Sequence, residues 1–140
     1  MTVLDQPGLR ALIERGTLAF LHTTSASGAP QVSAIWIGID DDELVFASLG
    51  ARKKLENIAR DPRVALSLQA PERNALGLDE YAVIHGTARI TEGGAPELLH
   101  ALAQVYIGPG TRFPPMDDPP PGFVVRIAPT RVVGVGPWIG

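Results

Sequence analysis

Three consecutive cations, Arg52, Lys53 and Lys54, stand just after Ser48-Leu49-Gly50 and directly before Leu55-Glu56-Asn57-Ile58-Ala59. Leu55, Ile58 and Ala59 recur at i, i+3 and i+4, the spacing of one apolar helix face, so the cations fall in the first turn of a short helix. A helix start presents unpaired N–H groups and the positive end of the macrodipole. Cations there are repelled by a few tenths of a kcal/mol. Two readings remain open: a solvated basic helix face, or a seat for an anion such as a phosphate. The other reactive side chains form no comparable group. His22, His85 and His100 share no metal-ligand spacing, so no metal site is expected. Asp40-Asp41-Asp42-Glu43 reads as a solvated hairpin turn rather than an acid/base pair. Gly-x-Ser-x-Gly, Walker and dinucleotide fingerprints are absent, and the catalytic group is unknown.

The elements that must hold the basic cluster are short and mostly extended. Val45-Phe46 favours a strand, Gly50 lets the chain turn, and Asp61-Pro62 ends the helix. Upstream, Asp5 and Pro7 suggest the cap and first turn of a helix with Leu9, Leu12 and Ile13 on one face, stopped at Gly16. Strands are expected at 17–23, at 31–39 as one continuous run containing Trp36, and at 43–46. Further strands are expected at 63–68 and 81–90, with 70–79 as a loop containing Pro71. Gly86 marks a bulge or a close backbone approach. Pro96 opens an amphipathic helix whose face is Leu98, Leu99, Leu102, Ala103 and Tyr106. A proline-rich stretch from Gly108 to Gly122 reads as a functional or mobile loop. The last two strands, 123–127 and 131–135, are separated at Pro129. This mainly β pattern with peripheral helices reads as a small barrel.

At 140 residues the chain is expected to form one domain over 1–140, burying roughly two-thirds of its unfolded surface. Without cysteine it has neither disulfides nor thiolate metal sites. A net charge of −3 argues against a nucleic-acid partner. The N-terminus lacks a signal-peptide pattern and no apolar run is long enough to span a bilayer, so no membrane association and a cytoplasmic location are expected.

Leu49-Gly50-Ala51-Arg52-Lys53-Lys54 and Asp61-Pro62-Arg63-Val64 resemble, in order and spacing, the phosphate-binding segment of the pyridoxamine 5'-phosphate oxidase-like superfamily. The rest of the chain fits the same layout almost end to end. The resemblance implies a six- or seven-stranded antiparallel split β-barrel, a homodimer, and a cofactor held by its phosphate at Arg52 and Lys54, with Lys53 and Ser48 assisting. Ser33, Trp36, Asn57 and Trp138 complete the implied cofactor-binding set; Trp36 reads first as a core residue and second as a surface for the cofactor ring. Trp138 lies too near the chain end for a safe core position and is expected to cover the ring site across a dimer interface. Superfamily members that make the vitamin carry an arginine and a lysine on the second strand, where this chain has Ser33 and Gly38. They also end in an arginine- and histidine-bearing segment that is replaced here by Val135-Gly136-Pro137-Trp138-Ile139-Gly140. The implied activity is therefore hydride transfer from reduced coenzyme F420 to a planar conjugated small molecule rather than pyridoxamine oxidation. The alternative is an FMN-binding protein, either an oxidoreductase or a non-catalytic cofactor-binding module.

Overall fold

A computed structural model describes residues 2–139. Seven antiparallel strands form one sheet: β1 (Ala19–Thr24), β2 (Pro30–Ile35), β3 (Gly38–Asp40), β4 (Glu43–Ser48), β5 (Arg63–Arg73), β6 (Asp79–Glu92) and β7 (Phe123–Val135). The helices are α1 (Leu9–Glu14), α2 (Lys53–Arg60) and α3 (Ala95–Tyr106), preceded by a 3-10 turn over Val3–Asp5. The order across the sheet is β2-β1-β5-β6-β7-β4-β3. Its two edges, β2 and β3, are consecutive in the chain and separated only by Trp36 and Ile37. Three Cα–Cα links reach at most about 11 Å, so the edges of the seven-stranded sheet must curl to meet each other. The result is a barrel split along the seam at Trp36.

This seam corrects the expectation of one continuous strand over 31–39. The strand breaks because its halves belong to opposite edges of the sheet. Backbone groups at the break have no ladder partner, and Tyr106 of α3 supplies one: its hydroxyl accepts from Ile37 N at 3.1 Å and donates to the Thr17 carbonyl at 2.8 Å.

Alternation along the strands fills the barrel. Leu21, Leu44, Phe46, Leu66, Leu68, Ile84, Val125 and Ile127 are buried within it. Leu4, Leu9, Leu12 and Ile13 join the same core. The first helix starts later than expected: Asp5 belongs to the 3-10 turn capped by Thr2, and Gly8 is the N-cap of α1. Pro71 lies within β5, which runs on to Arg73, because the ladder is irregular between Gln69 and Arg73 and needs no N–H from the proline. The loop shrinks to residues 74–78, where Asn74 Oδ1 accepts from Leu76 N and Leu78 N, both at 3.0 Å.

Pro129 likewise interrupts nothing. Strand β7 passes through it at a bulge, with Gly86 opposite Pro129 and His85 opposite Arg131. Gly86 makes the close approach expected of it. A Cβ there would lie 2.6 Å from the Ala128 carbonyl oxygen and 2.7 Å from Ile127 Cγ2. The acidic turn is a two-residue hairpin with Asp41 and Asp42 at φ of 51° and 59°, which Asp tolerates.

Candidate functional site

Helix α2 begins where β4 leaves the barrel. Ser48 Oγ donates to the Gly50 carbonyl at 2.6 Å, folding the chain back so that Arg52 becomes the extended N-cap residue. Arg52 makes no side-chain cap; its carbonyl accepts from Leu55 N and Glu56 N. Among the described residues, Lys53 N and Lys54 N have no protein acceptor. The helix start is therefore open toward solvent with its dipole uncompensated.

The three cations diverge from this point. Lys53 reaches Glu56 at 3.7 Å in an exposed pair worth little. Arg52 and Lys54 have no carboxylate partner among the described residues. Lys54 is half-buried, and burial, followed by repulsion from Arg52, pulls its pKa below the ordinary lysine value. Its side chain lines a cavity of about 240 Å³ together with Leu18, Ala34, Trp36, Leu99 and Phe113. An ammonium facing apolar and aromatic walls, with only a like charge for company, is a charge short of a partner.

Trp36 stands at the seam as part of an aromatic stack. Its ring lies 5.5 Å from that of Tyr106 at an interplanar angle of 15°, and 5.1 Å from Phe113 at 57°. These spacings are those of offset-stacked and tilted pairs. Both functions of the Tyr106 hydroxyl are committed to backbone, and burial raises its pKa. Phe113 comes from the loop after α3, and that loop is tied down where Gln104 donates to the Thr111 carbonyl at 2.8 Å and accepts from Gly110 N at 2.8 Å.

The remaining residues implied by the resemblance do other jobs. Asn57 is fully buried; its Nδ2 donates to Thr23 Oγ1 at 3.1 Å and to Gln31 Oε1, and its Oδ1 accepts from Arg60 Nη2 at 3.0 Å. It latches α2 onto β1 and β2, while Ala59, expected on the apolar face, is exposed. Ser33 faces the inner side of β2 opposite Leu21, and Ala34 lines the Lys54 cavity in its place. Trp138, expected to lie outside the core, is only 3% exposed and belongs to it. Its Nε1 donates to the Tyr81 carbonyl at 3.1 Å, and Gly136 has no Cβ because one would sit 2.3 Å from the indole. The structure thus brings Trp36 and Lys54 together, leaves Arg52 and Lys53 at the rim, and sets Asn57 and Trp138 into the packing. Phe113 and Leu99 were missed. A lone large aromatic inside a proline-rich loop was the signal for Phe113.

A family model described as pyridoxamine 5'-phosphate oxidase matches residues 6–136. The chain belongs to the pyridoxamine 5'-phosphate oxidase family, and its barrel is the split barrel of that superfamily. Among solved structures, an F420 reductase is similar over 89% of this chain and 94% of its own, with 29% identity and a TM-score of 0.73. A conserved hypothetical protein from Mycobacterium tuberculosis is similar over 95% of this chain and 85% of its own, with 25% identity and a TM-score of 0.75. HupZ of Group A Streptococcus, at 22% identity, a TM-score of 0.63 and 90% coverage of each chain, shows likeness of fold alone. No curated protein matches the chain. No helix among the described residues is long and apolar enough to cross a membrane.

Proposed function

We propose that the protein is an oxidoreductase that uses coenzyme F420 to reduce a planar conjugated small molecule. The observation that carries this reading is the pair of unpartnered cations, Arg52 and Lys54, at an open helix start beside an aromatic-walled cavity. The donor set suits a phosphate-bearing, ring-bearing cofactor: backbone N–H groups and Arg52 for the phosphate, Lys54 between phosphate and ring, Trp36 against the ring. Lys53 and Ser48 assist, the latter by shaping the turn. Ser33 and Gly38, where vitamin-making relatives carry cations, and the likeness to an F420 reductase favour the deazaflavin over FMN.

Such a cofactor supplies hydride transfer from its own ring. The chain's part is to bind and orient it, to stack a flat acceptor against it, and to exclude water through Phe113 of the tied-down loop, which packs on Trp36. Because both functions of the Tyr106 hydroxyl are committed to backbone, Tyr81 or water is left to deliver the proton.

The protein is further proposed to be a homodimer. Phe20, Val32, Tyr81 and Val133 share the outer face of β2-β1-β5-β6-β7, each 39% to 52% exposed. A second copy would cover this stripe. Light scattering should give twice the mass of one chain; a strict monomer overturns the dimer.

The cofactor test is fluorescence titration with F420 and FMN, followed by a screen of enones, quinones and tetrapyrroles for bleaching of reduced F420. Tighter F420 binding with acceptor-dependent bleaching is the expected result. Micromolar FMN binding without F420 binding would reverse the cofactor, and tight binding without turnover would make the protein a cofactor-binding module.

A further inference from the structure

The opposite flank of α3 holds a second opening, lined by different residues from those around Lys54. Val45, Val124, Leu98, Ala101, Leu102 and Arg126 border about 410 Å³ between the helix and the outer face of β3, β4 and β7. Gly38 keeps its floor open, since a Cβ there would come within 3.1 Å of Leu102 Cδ2 and press on that side chain. The walls are aliphatic, and the polar groups sit at the β3–β4 end, where Asp40 and Arg126 join the lining.

Arg126 decides what this groove can hold. A guanidinium has five N–H donors. Nε donates to Glu43 Oε1 at 2.9 Å, and Nη2 donates to the Asp40 carbonyl at 3.0 Å and to Asp40 Oδ2 at 2.9 Å. Among the described residues, Nη1 has no acceptor. Arg89 pairs with both oxygens of Glu43, so two guanidinium groups face two carboxylates and the cluster is neutral. A carboxylate ligand would find no free fork for a bidentate bond, and it would bring an uncompensated charge to an apolar groove. One neutral oxygen acceptor meets the free donors without either cost.

We infer that this groove binds a small uncharged molecule with an apolar body and a single carbonyl or hydroxyl oxygen that accepts from Arg126. At roughly 30 Å³ for each water-sized group, the space accommodates about a dozen heavy atoms. The site shares no lining residue with the Lys54 cavity and does not depend on which cofactor, if any, binds there.

The test is an NMR titration of the full chain with 2-nonanone, 1-nonanol and nonanoate. The ketone and the alcohol should give saturable shifts centred on the amides of Ala101 and Val124, with nonanoate at least about tenfold weaker. Ala101→Trp, on the exposed face of α3, should reduce ketone binding at least about tenfold, while Lys54→Ala should leave it unchanged. The shift map reads the site even if the tryptophan variant fails to fold. Shifts centred on Trp36 and Lys54, tighter binding of nonanoate, or no saturation by the ketone up to its solubility limit would each overturn the proposal. So would groove amides that shift with protein concentration alone, which would mean that a second copy fills the groove.

Discussion

Two clusters of cations flank α3, and they differ in whether the fold has already answered their charge. At the β4–β7 end, Arg126 and Arg89 converge on Glu43, and Asp40 closes the network. Arg89 and Arg126 hold the Glu43 carboxyl down at about 2, against an ordinary value of 4.5. At the start of α2, Arg52 and Lys54 sit beside an uncompensated helix dipole, and Lys54, half-buried, has only another cation acting on its charge. The first arrangement is balanced in charge without a ligand. The second leaves its charge unanswered, and on the proposed reading the cofactor's phosphate answers it, since cations at a helix N-terminus lower stability until something negative joins them. Counting basic residues would rank the two alike; their partners separate them.

Removing Arg52 and Lys54 together gives the largest contrast between the clusters. Each charge-assisted bond to a phosphate contributes about 1.5–3 kcal/mol, so Arg52→Ala with Lys54→Ala should weaken cofactor binding by roughly a hundredfold to ten-thousandfold. Thermal melting should hardly change, or rise slightly as the repulsion is relieved. A fall in melting temperature that matched the lost affinity would erase the distinction. Next in size is Asn57→Ala, which leaves Thr23, Gln31 and Arg60 without their partner and should cost about 1–3 kcal/mol of stability by urea titration. The lost latch makes this a folding effect first. Asn57→Ala that bound cofactor poorly but unfolded like the parent would return Asn57 to the site.

Smaller still is Trp36→Ala, which forfeits an aromatic pair worth about 0.5–1.5 kcal/mol and should weaken ring binding several-fold by the same fluorescence titration. Equal affinity would place the ring elsewhere. The smallest effect at neutral pH belongs to Glu43→Gln, at most about 1 kcal/mol. Its signature is in acid. Because the folded pKa lies below the unfolded one, the carboxylate's contribution is full above pH 4.5 and fades as the pH falls toward about 2. Glu43→Gln should lose that part of the acid transition, and an unchanged pH profile would show that the network carries no stability.

By itself the sequence determined the inventory: strands from period-two alternation, α3 from its apolar face and Pro96, α2 from the spacing of Leu55 and Ile58 ahead of Asp61-Pro62, and the bulge from Gly86. Each is a local signal, readable within a few residues because backbone geometry repeats with a fixed period. Tertiary structure alone decided which of these residues are free. Trp36 became a seam residue because β2 and β3 lie at opposite edges of a sheet that closes on itself, and no local pattern announces an edge. Lys54 separated from Lys53 because successive helical residues point about 100° apart, so one faces the cavity while its neighbour faces solvent. Trp138 entered the core because the chain end folds back beneath Tyr81, a contact between residues far apart in the chain. Asn57 was withdrawn from the candidate site for the same reason, its partners on β1 and β2 lying well upstream of α2. Polar side chains in a sequence declare what they can bond; only the folded chain shows what is left to bond with.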